Sequence, residues 1–583
     1  MRAYIATIVL ALGVLWSLSG CGSASGPAAD DGDLHSPPPS SGPSRKVESK
    51  DAASAFLSRA TFGATESEID ALMRQGTYGK WLELQFQKPA TLHMAWLATH
   101  AQEVNGTGTL ADHPEEWRVH ADALGTGERD AWIEIAVHGE DQLRQRVAFA
   151  LSEILVISRN GPLLTFPDAR LSYYDTLLKN AFSNFETLLQ EVTFHPAMGR
   201  YLSYLGNAKA DPATGSHPDE NYAREVMQLF TIGLYQLNQN GTQKLDSHGH
   251  PIATYTQKDV REMARIFTGL TDDNGYFFPD EGGTSHHSRT TPMIVNETYH
   301  DRGEKVVLGQ TFPAGVSTKE EIKNALHLLF MHPNTGPFIA RQLIQRLVTS
   351  NPSPAYVERV AKAFADNGKG VRGDMKAVIK AILLDEEALT GAKSRSSTFG
   401  KFREPLLYFT HLFRAFSAQN GPHTLKEGDK ALYRYRSYNF NGTGYTRQEG
   451  ALEALTVFNY FTPDDAPYSL KKQKLVAPEL TLYGKQGIDE VLMGIINKID
   501  SIYDLFEMTA ELEITKEKAL AKAGDFDGLI DRLDTLFCGG NLSAQIRSAI
   551  KNYLLSHKNL GEEKLARYAI GLVMTSPDYA LQR

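Results

Sequence analysis

The sequence predicts a mainly α-helical fold: a large multi-helical domain with a short β-hairpin and a long ordered loop in the middle. Three observations carry this. Apolar residues recur at helical spacing from Asp51 to the C-terminus. Capping-box patterns open several of these stretches. Strand-like alternation is confined to a few short segments. With 42% hydrophobic and 22% charged residues over 583 positions, a sizeable packed core is expected.

The first element is a leader. Arg2 supplies a positive n-region, Tyr4 to Leu18 an apolar h-region, and Ser19-Gly20 the small residues before a cleavage site. The h-region is shorter than the roughly 20 residues of a membrane span. Leu18-Ser19-Gly20-Cys21 has the shape of a bacterial lipobox, so residues 1–20 read as a lipoprotein signal peptide and Cys21 as the lipidated residue. The expected address is the bacterial cell envelope, and the outer membrane where there are two, because Gly22 rather than Asp follows the cysteine. Residues 21–50, rich in Gly, Ser, Pro and Ala, cannot bury a core and read as a tether.

Residues 51–583 are expected to form one helical domain with lobes near 51–205, 206–316 and 317–583. Thr65-Glu66-Ser67-Glu68 is a capping box and Gly76 a stop. Leu143, Val147, Ala150, Leu151, Ile154 and Leu155 follow helical spacing, as do Tyr222, Val226, Leu229, Phe230, Gly233 and Leu234. Thr256 caps a stripe of Val260, Met263, Ala264 and Phe267, and Ser317-Thr318-Lys319-Glu320 is a second capping box. Helical patterns continue over 326–330, 338–348, 356–367, 375–384, 511–523, 526–537, 544–555 and 562–575. A hairpin is expected between Leu237 and Pro251, and residues 271–316 read as the long loop, with about two strands.

The net charge of −9 argues against a nucleic-acid partner, which wants a basic face. The two cysteines, Cys21 and Cys538, leave no intramolecular disulfide once Cys21 carries lipid, and Cys538 among apolar neighbours reads as a buried thiol. No G-x-S-x-G elbow, S-x-x-K motif or glycine-rich phosphate loop occurs, which argues against familiar serine hydrolases, kinases and NAD enzymes.

Several motifs stand out, one after another, along the chain. They are Ala60-Thr61-Phe62-Gly63, Arg144-Gln145-Arg146, His195-Pro196-Ala197-Met198, Asp219-Glu220-Asn221-Tyr222-Ala223-Arg224-Glu225 and His300-Asp301. His332-Pro333-Asn334-Thr335, Arg403-Glu404-Pro405, Val457-Phe458-Asn459-Tyr460-Phe461 and Thr575-Ser576-Pro577-Asp578-Tyr579 follow. In these the chain resembles, over roughly residues 52–583, the bacterial exported family catalogued as domain of unknown function 1800. The resemblance implies export. It also implies an exported sulfatase-like partner, since such genes often neighbour those of the family. Many relatives place His where this chain has Phe230, a position that its apolar stripe equally explains as packing.

Asn221 and Glu225 fall one turn apart at the edge of an apolar stripe. They read either as polar ligands or an acid/base pair at a cleft lip, or as a network docking helices. With His300 and Asp301 they form the candidate catalytic set. Six of the 18 histidines lie between His217 and His300, so a divalent metal held by His195, His217, Glu225 and His300 is the candidate centre, although no compact HExxH spacing exists. Asn238, Asn240 and Asp246 are oxygen donors but also turn formers. Aromatics at Tyr433 to Phe440 and at Phe458 to Phe461 read as a groove for sugar rings or a peptide, or as packing. Arg341, Arg346 and Arg403-Glu404 read as interhelical ion pairs. Two functions follow: a lipid-anchored accessory or binding factor for an exported enzyme or glycan, or a metal-assisted hydrolase with a site in 195–301.

Overall fold

The computed structural model describes residues 45–100, 121–273, 277–278, 289–395, 397–420, 449–483 and 510–583. Cys21, the histidines His286 and His287, and the aromatic run Tyr433 to Phe440 lie outside them. The fold is mainly α, with helices from Lys50–Ala60 to Pro577–Ala580 and only two-stranded antiparallel sheets among the described residues. No helix among those residues is long and apolar enough to cross a membrane. One cluster of buried apolar side chains runs from Val47 to Ala580 through all three expected lobes.

Local chemistry sets most of the boundaries. Thr65 accepts from the Glu68 amide to open Glu66–Gln75, and Gly76, at φ 77°, closes it in the left-handed conformation that glycine adopts without penalty. Thr256 and Asp259 form a complete capping box on Gln257–Ile266. Ser317 does not cap Thr318–Met331 as its pattern predicts. Glu297, from the preceding loop, instead takes the Thr318 amide (3.1 Å) and hydroxyl (2.9 Å), a charge-assisted cap the local sequence does not show.

The stripe expected to run to Leu234 ends early. The helix Asn221–Gln228 stops because the Thr231 hydroxyl bonds the Val226 carbonyl (2.5 Å) and Gly233, at φ 69°, turns the chain back with its amide on Met227 O (2.9 Å). Phe230 is fully buried beside Tyr222, a packing position. In place of one hairpin, residues 235–253 make three isolated bridges, Tyr235 with Ala253, Leu237 with Gln243 and Leu245 with Pro251. The long loop carries four short strands, pairing Leu270–Thr271 with Ile294–Val295 and Lys305–Val307 with Gln310–Phe312. Lys401–Phe402 pairs with Leu581–Gln582, bringing the C-terminus beside the centre of the chain.

Candidate functional site

The candidate residues of the 195–301 region are mostly engaged in holding the fold. His195 precedes the helix Pro196–Tyr201 and accepts the Ala197 amide on Nδ1 (3.1 Å), while Nε2 meets the Ser172 hydroxyl (3.3 Å). Burial pushes this imidazole down to about 3, so it stays neutral. His217 is exposed. His300 is buried, with Nδ1 2.9 Å from the Thr268 carbonyl and Nε2 2.9 Å from Glu321 Oε2. Lys305 lies on the same Glu321 carboxylate at 2.9 and 3.0 Å. Asp301 holds Arg265 through two hydrogen bonds, Nε at 2.7 Å and Nη2 at 3.0 Å. Burial works against the Asp301 charge, but Arg265 and the Gly303 amide hold its carboxyl below the usual range. The hairpin oxygens are turn formers: Asn240 caps Thr242, and Asp246 Oδ1 accepts the amides of His248 (2.8 Å) and His250 (2.9 Å). Cys538 is a free thiol that burial pushes up, far from a nucleophile's range.

Glu225 differs from these. It is buried, Oε2 has no protein partner, and burial pushes the carboxyl up to about 7. Asn221, one turn before it, is exposed and donates to Ser203 Oγ (3.3 Å). Among the described residues, one group of three carboxylate or imidazole side chains brings its ligand atoms within 4.8 Å of one another, and it contains none of His195, His217, Glu225 or His300. It is Glu153, Glu404 and Glu449, all buried.

These three glutamates belong to a buried charge cluster built at the end of the helix Thr335–Leu347. A helix leaves its last carbonyls without partners and presents the negative end of its dipole. Here Arg146 Nη2 (2.6 Å) and Lys401 Nζ (2.9 Å) both donate to the Arg346 carbonyl, and Gln582 donates to that of Leu347 (3.3 Å). Arg346 in turn donates to the Glu153 carbonyl (2.8 Å) at the end of Gln142–Ser152. Lys401 also bonds Glu404 Oε1 (2.5 Å) and lies 3.7 Å from Glu479 Oε1, whose other oxygen accepts the Ser350 hydroxyl (3.0 Å). Glu404 immediately precedes the helix Pro405–Ala415, and it is Glu449 that caps that helix, accepting the Leu406 amide (2.9 Å). Asn459 donates to Glu153 Oε1 (3.2 Å).

Four carboxylates thus face three cations in a water-poor setting. Burial, then the Glu404 charge, pushes Glu153 up to about 7. Burial also raises Glu404, but Lys401 and then Arg146 outweigh it and hold the group ionised. Burial, then Glu404, lifts Glu449 well above the carboxylate range, and burial raises Glu479 as well. Of the features that stand out in the sequence, Arg146, Arg346, Arg403-Glu404 and Asn459 all lie in or beside this cluster, with Arg403 stacked over Tyr579 at 4.4 Å. Glu153, Lys401, Glu449 and Glu479 carry no local signal. Charge parity around buried arginines, evident only once the chain is folded, is what selects them.

Bonds outside the cluster also fasten the irregular segment 449–483. Ser158 Oγ donates to Ala454 O (2.5 Å), the Arg159 amide to Leu452 O (2.8 Å), Asn160 to Glu453 O (2.7 Å) and Gln345 to Pro463 O (3.0 Å). Asn351 bonds both the carbonyl and the amide of Val476 (each 2.9 Å). Leu452 and Asn459 hold left-handed conformations at φ 59° and 63°, which for leucine persist only under such restraint. Exposed in this segment are Leu455 (78%), Phe458 (45%) and Tyr468 (74%), and the exposed Lys471, Lys472 and Lys474 follow Tyr468 along the chain. Lys472 Nζ lies 4.7 Å from the Tyr468 ring centre.

No curated protein and no solved structure matches the chain. The family model described as "Protein of unknown function (DUF1800)" matches residues 55–581. The chain therefore belongs to the DUF1800 family.

Proposed function

We propose that the protein is a lipid-anchored factor of the bacterial envelope that binds an exported partner protein, with segment 449–483 as its docking platform. The observation that supports this reading is the contrast within that segment: backbone held rigidly from beneath, large apolar side chains held outward. Exposed leucine, phenylalanine and tyrosine beside three lysines suit a partner face with an apolar centre and an acidic rim. Holding the loop in place beforehand lowers the ordering cost of association. The leader ending at Cys21 and the tether to residue 50 support placement on the membrane surface.

The test is affinity capture of the full-length lipoprotein from detergent-solubilised envelope. A stable protein partner is expected, and Leu455→Asp with Tyr468→Ala should abolish its recovery while leaving the melting temperature within about 2 °C, as surface changes do. Recovery unaffected by both substitutions, or a glycan as the retained species, would contradict the assignment.

A second reading, a metal-assisted hydrolase, is favoured by Glu225 alone. Its buried carboxyl near neutral pH is what a general acid or base requires. It requires stoichiometric divalent metal in protein purified without a histidine tag, lost in Glu225→Gln. Metal-free protein, or metal unchanged by that substitution, eliminates it.

A further inference from the structure

Three oxygens in the charge cluster have no protein donor: Glu153 Oε2, Glu404 Oε2 and Glu449 Oε1, all on buried side chains. The remaining oxygen of each is engaged, Glu153 with Asn459, Glu404 with Lys401 and Glu449 with the Leu406 amide. Unpartnered buried carboxylate oxygens are costly, and two ionised carboxylates close together cost more. Glu404 and Glu449 each bring a carboxylate oxygen within 4.8 Å of the other, so a single proton shared between them would serve both carboxyls at once.

Charge parity points the same way. Glu153, Glu404, Glu449 and Glu479 carry four negative charges when ionised, against the three positive charges of Arg146, Arg346 and Lys401. One proton brings these seven groups to neutrality. A divalent cation held by the three clustered glutamates would leave it one positive charge in excess, beside two buried guanidinium groups and an ammonium.

We propose that Glu404 and Glu449 hold one proton between them as a carboxylic acid–carboxylate pair, and that this shared proton fastens segment 449–483 to the helical body. Glu404 stands at the head of the helix Pro405–Ala415, and Glu449 accepts the Leu406 amide of that helix, so the pair ties residue 449 to it. The arrangement is that of two carboxyls too close to ionise together, whose protons leave as a pair property. The groups around the pair are Arg146, Lys401 and Glu153, then Arg346 and Arg403, and Glu479 and Tyr483 from the 478–483 turn. Tyr460 closes it from within the segment through its bond to Gly450 O (2.7 Å). Of these, Glu153 and Glu479 are carboxyls, the first bonded to Asn459 and the second to the Ser350 hydroxyl. The proposal does not depend on what the platform binds.

Because folding raises the affinity of Glu449 for its proton, the stabilisation is complete at acidic pH and is lost as pH rises through the folded-state titration. Segment 449–483 should therefore loosen as pH rises through that titration, before the rest of the fold does.

Infrared spectra of the full-length protein and Glu449→Gln, recorded over a pH series in which Glu134, Glu153 and Glu225 ionise, test this directly. A protonated-carboxyl C=O band beyond theirs is expected in the wild type and absent in Glu449→Gln. Glutamine keeps both hydrogen bonds, accepting from Leu406 and donating to Glu404, so this variant should fold. It should also abolish the rise with pH in proteolytic cleavage within 449–483 that is expected of the wild type. An identical carboxyl band in the two proteins would overturn the proposal. So would cleavage rising equally with pH in both, or stoichiometric metal that Glu449→Gln removes.

Discussion

Lys401→Met should destabilise the protein by about 3–5 kcal/mol, the range seen when one member of a buried ion pair is removed. The ammonium is almost wholly buried and joins Glu404, Glu479 and the Arg346 carbonyl. Methionine fills much of the same volume but supplies no charge and no donor. It strands an ionised Glu404 and removes one of the two donors on the Arg346 carbonyl. Thermal unfolding followed by circular dichroism measures the loss. Adding Glu404→Gln to Lys401→Met should restore about half of it, because the stranded charge goes while the pair to Glu449 can still be made. A loss under about 1 kcal/mol in the single variant would show that the cluster is hydrated rather than closed.

Gly63→Ala should cost roughly 3 kcal/mol or more, for an unrelated reason. Gly63 sits at φ 134°, a conformation other residues rarely adopt, and a Cβ there would lie 2.4 Å from His411 Cδ2 and 2.5 Å from its Cα. His411 is fully buried and cannot retreat. The same glycine is held on both sides, its amide on the Thr61 hydroxyl (3.1 Å) and its carbonyl under Arg414 Nε (2.8 Å). Gly76 provides the control. It is also left-handed, but a Cβ added there would meet nothing within 4 Å, so Gly76→Ala should cost only about 1 kcal/mol. Equal losses at the two sites, by the same unfolding measurement, would contradict the steric origin of the effect.

Helices are legible in the sequence wherever the cap and the stripe lie within one turn of each other, as at Thr65, Thr256 and Gly76. The departures share a cause: a partner from elsewhere in the chain. Glu297 takes over the cap predicted for Ser317, and the Thr231–Val226 bond with Gly233 ends a helix whose apolar spacing continues. The candidate site is legible only in part. Histidine density draws attention to 195–301, yet His195 and His300 are tied into caps and networks by residues that spacing cannot reveal. Arg146, Arg346, Glu404 and Asn459 stand out as motif residues or ion-pair candidates. Their common destination, at the end of one helix, depends on contacts between distant parts of the chain, such as that between Asn459 and Glu153. Periodicity reports which face of an element is buried. It carries no information about which buried charges meet.

The charge cluster joins the helices Gln142–Ser152, Thr335–Leu347 and Pro405–Ala415 to the segment 449–483 as one unit. Native-state hydrogen exchange of Lys401→Met against the wild type measures this most directly, since amides that open in one cooperative unit lose protection together. Peptides covering 142–155, 338–350, 403–410 and 449–463 should all exchange faster by a common factor. Faster exchange confined to the few residues around position 401, with 449–463 unchanged, would contradict it.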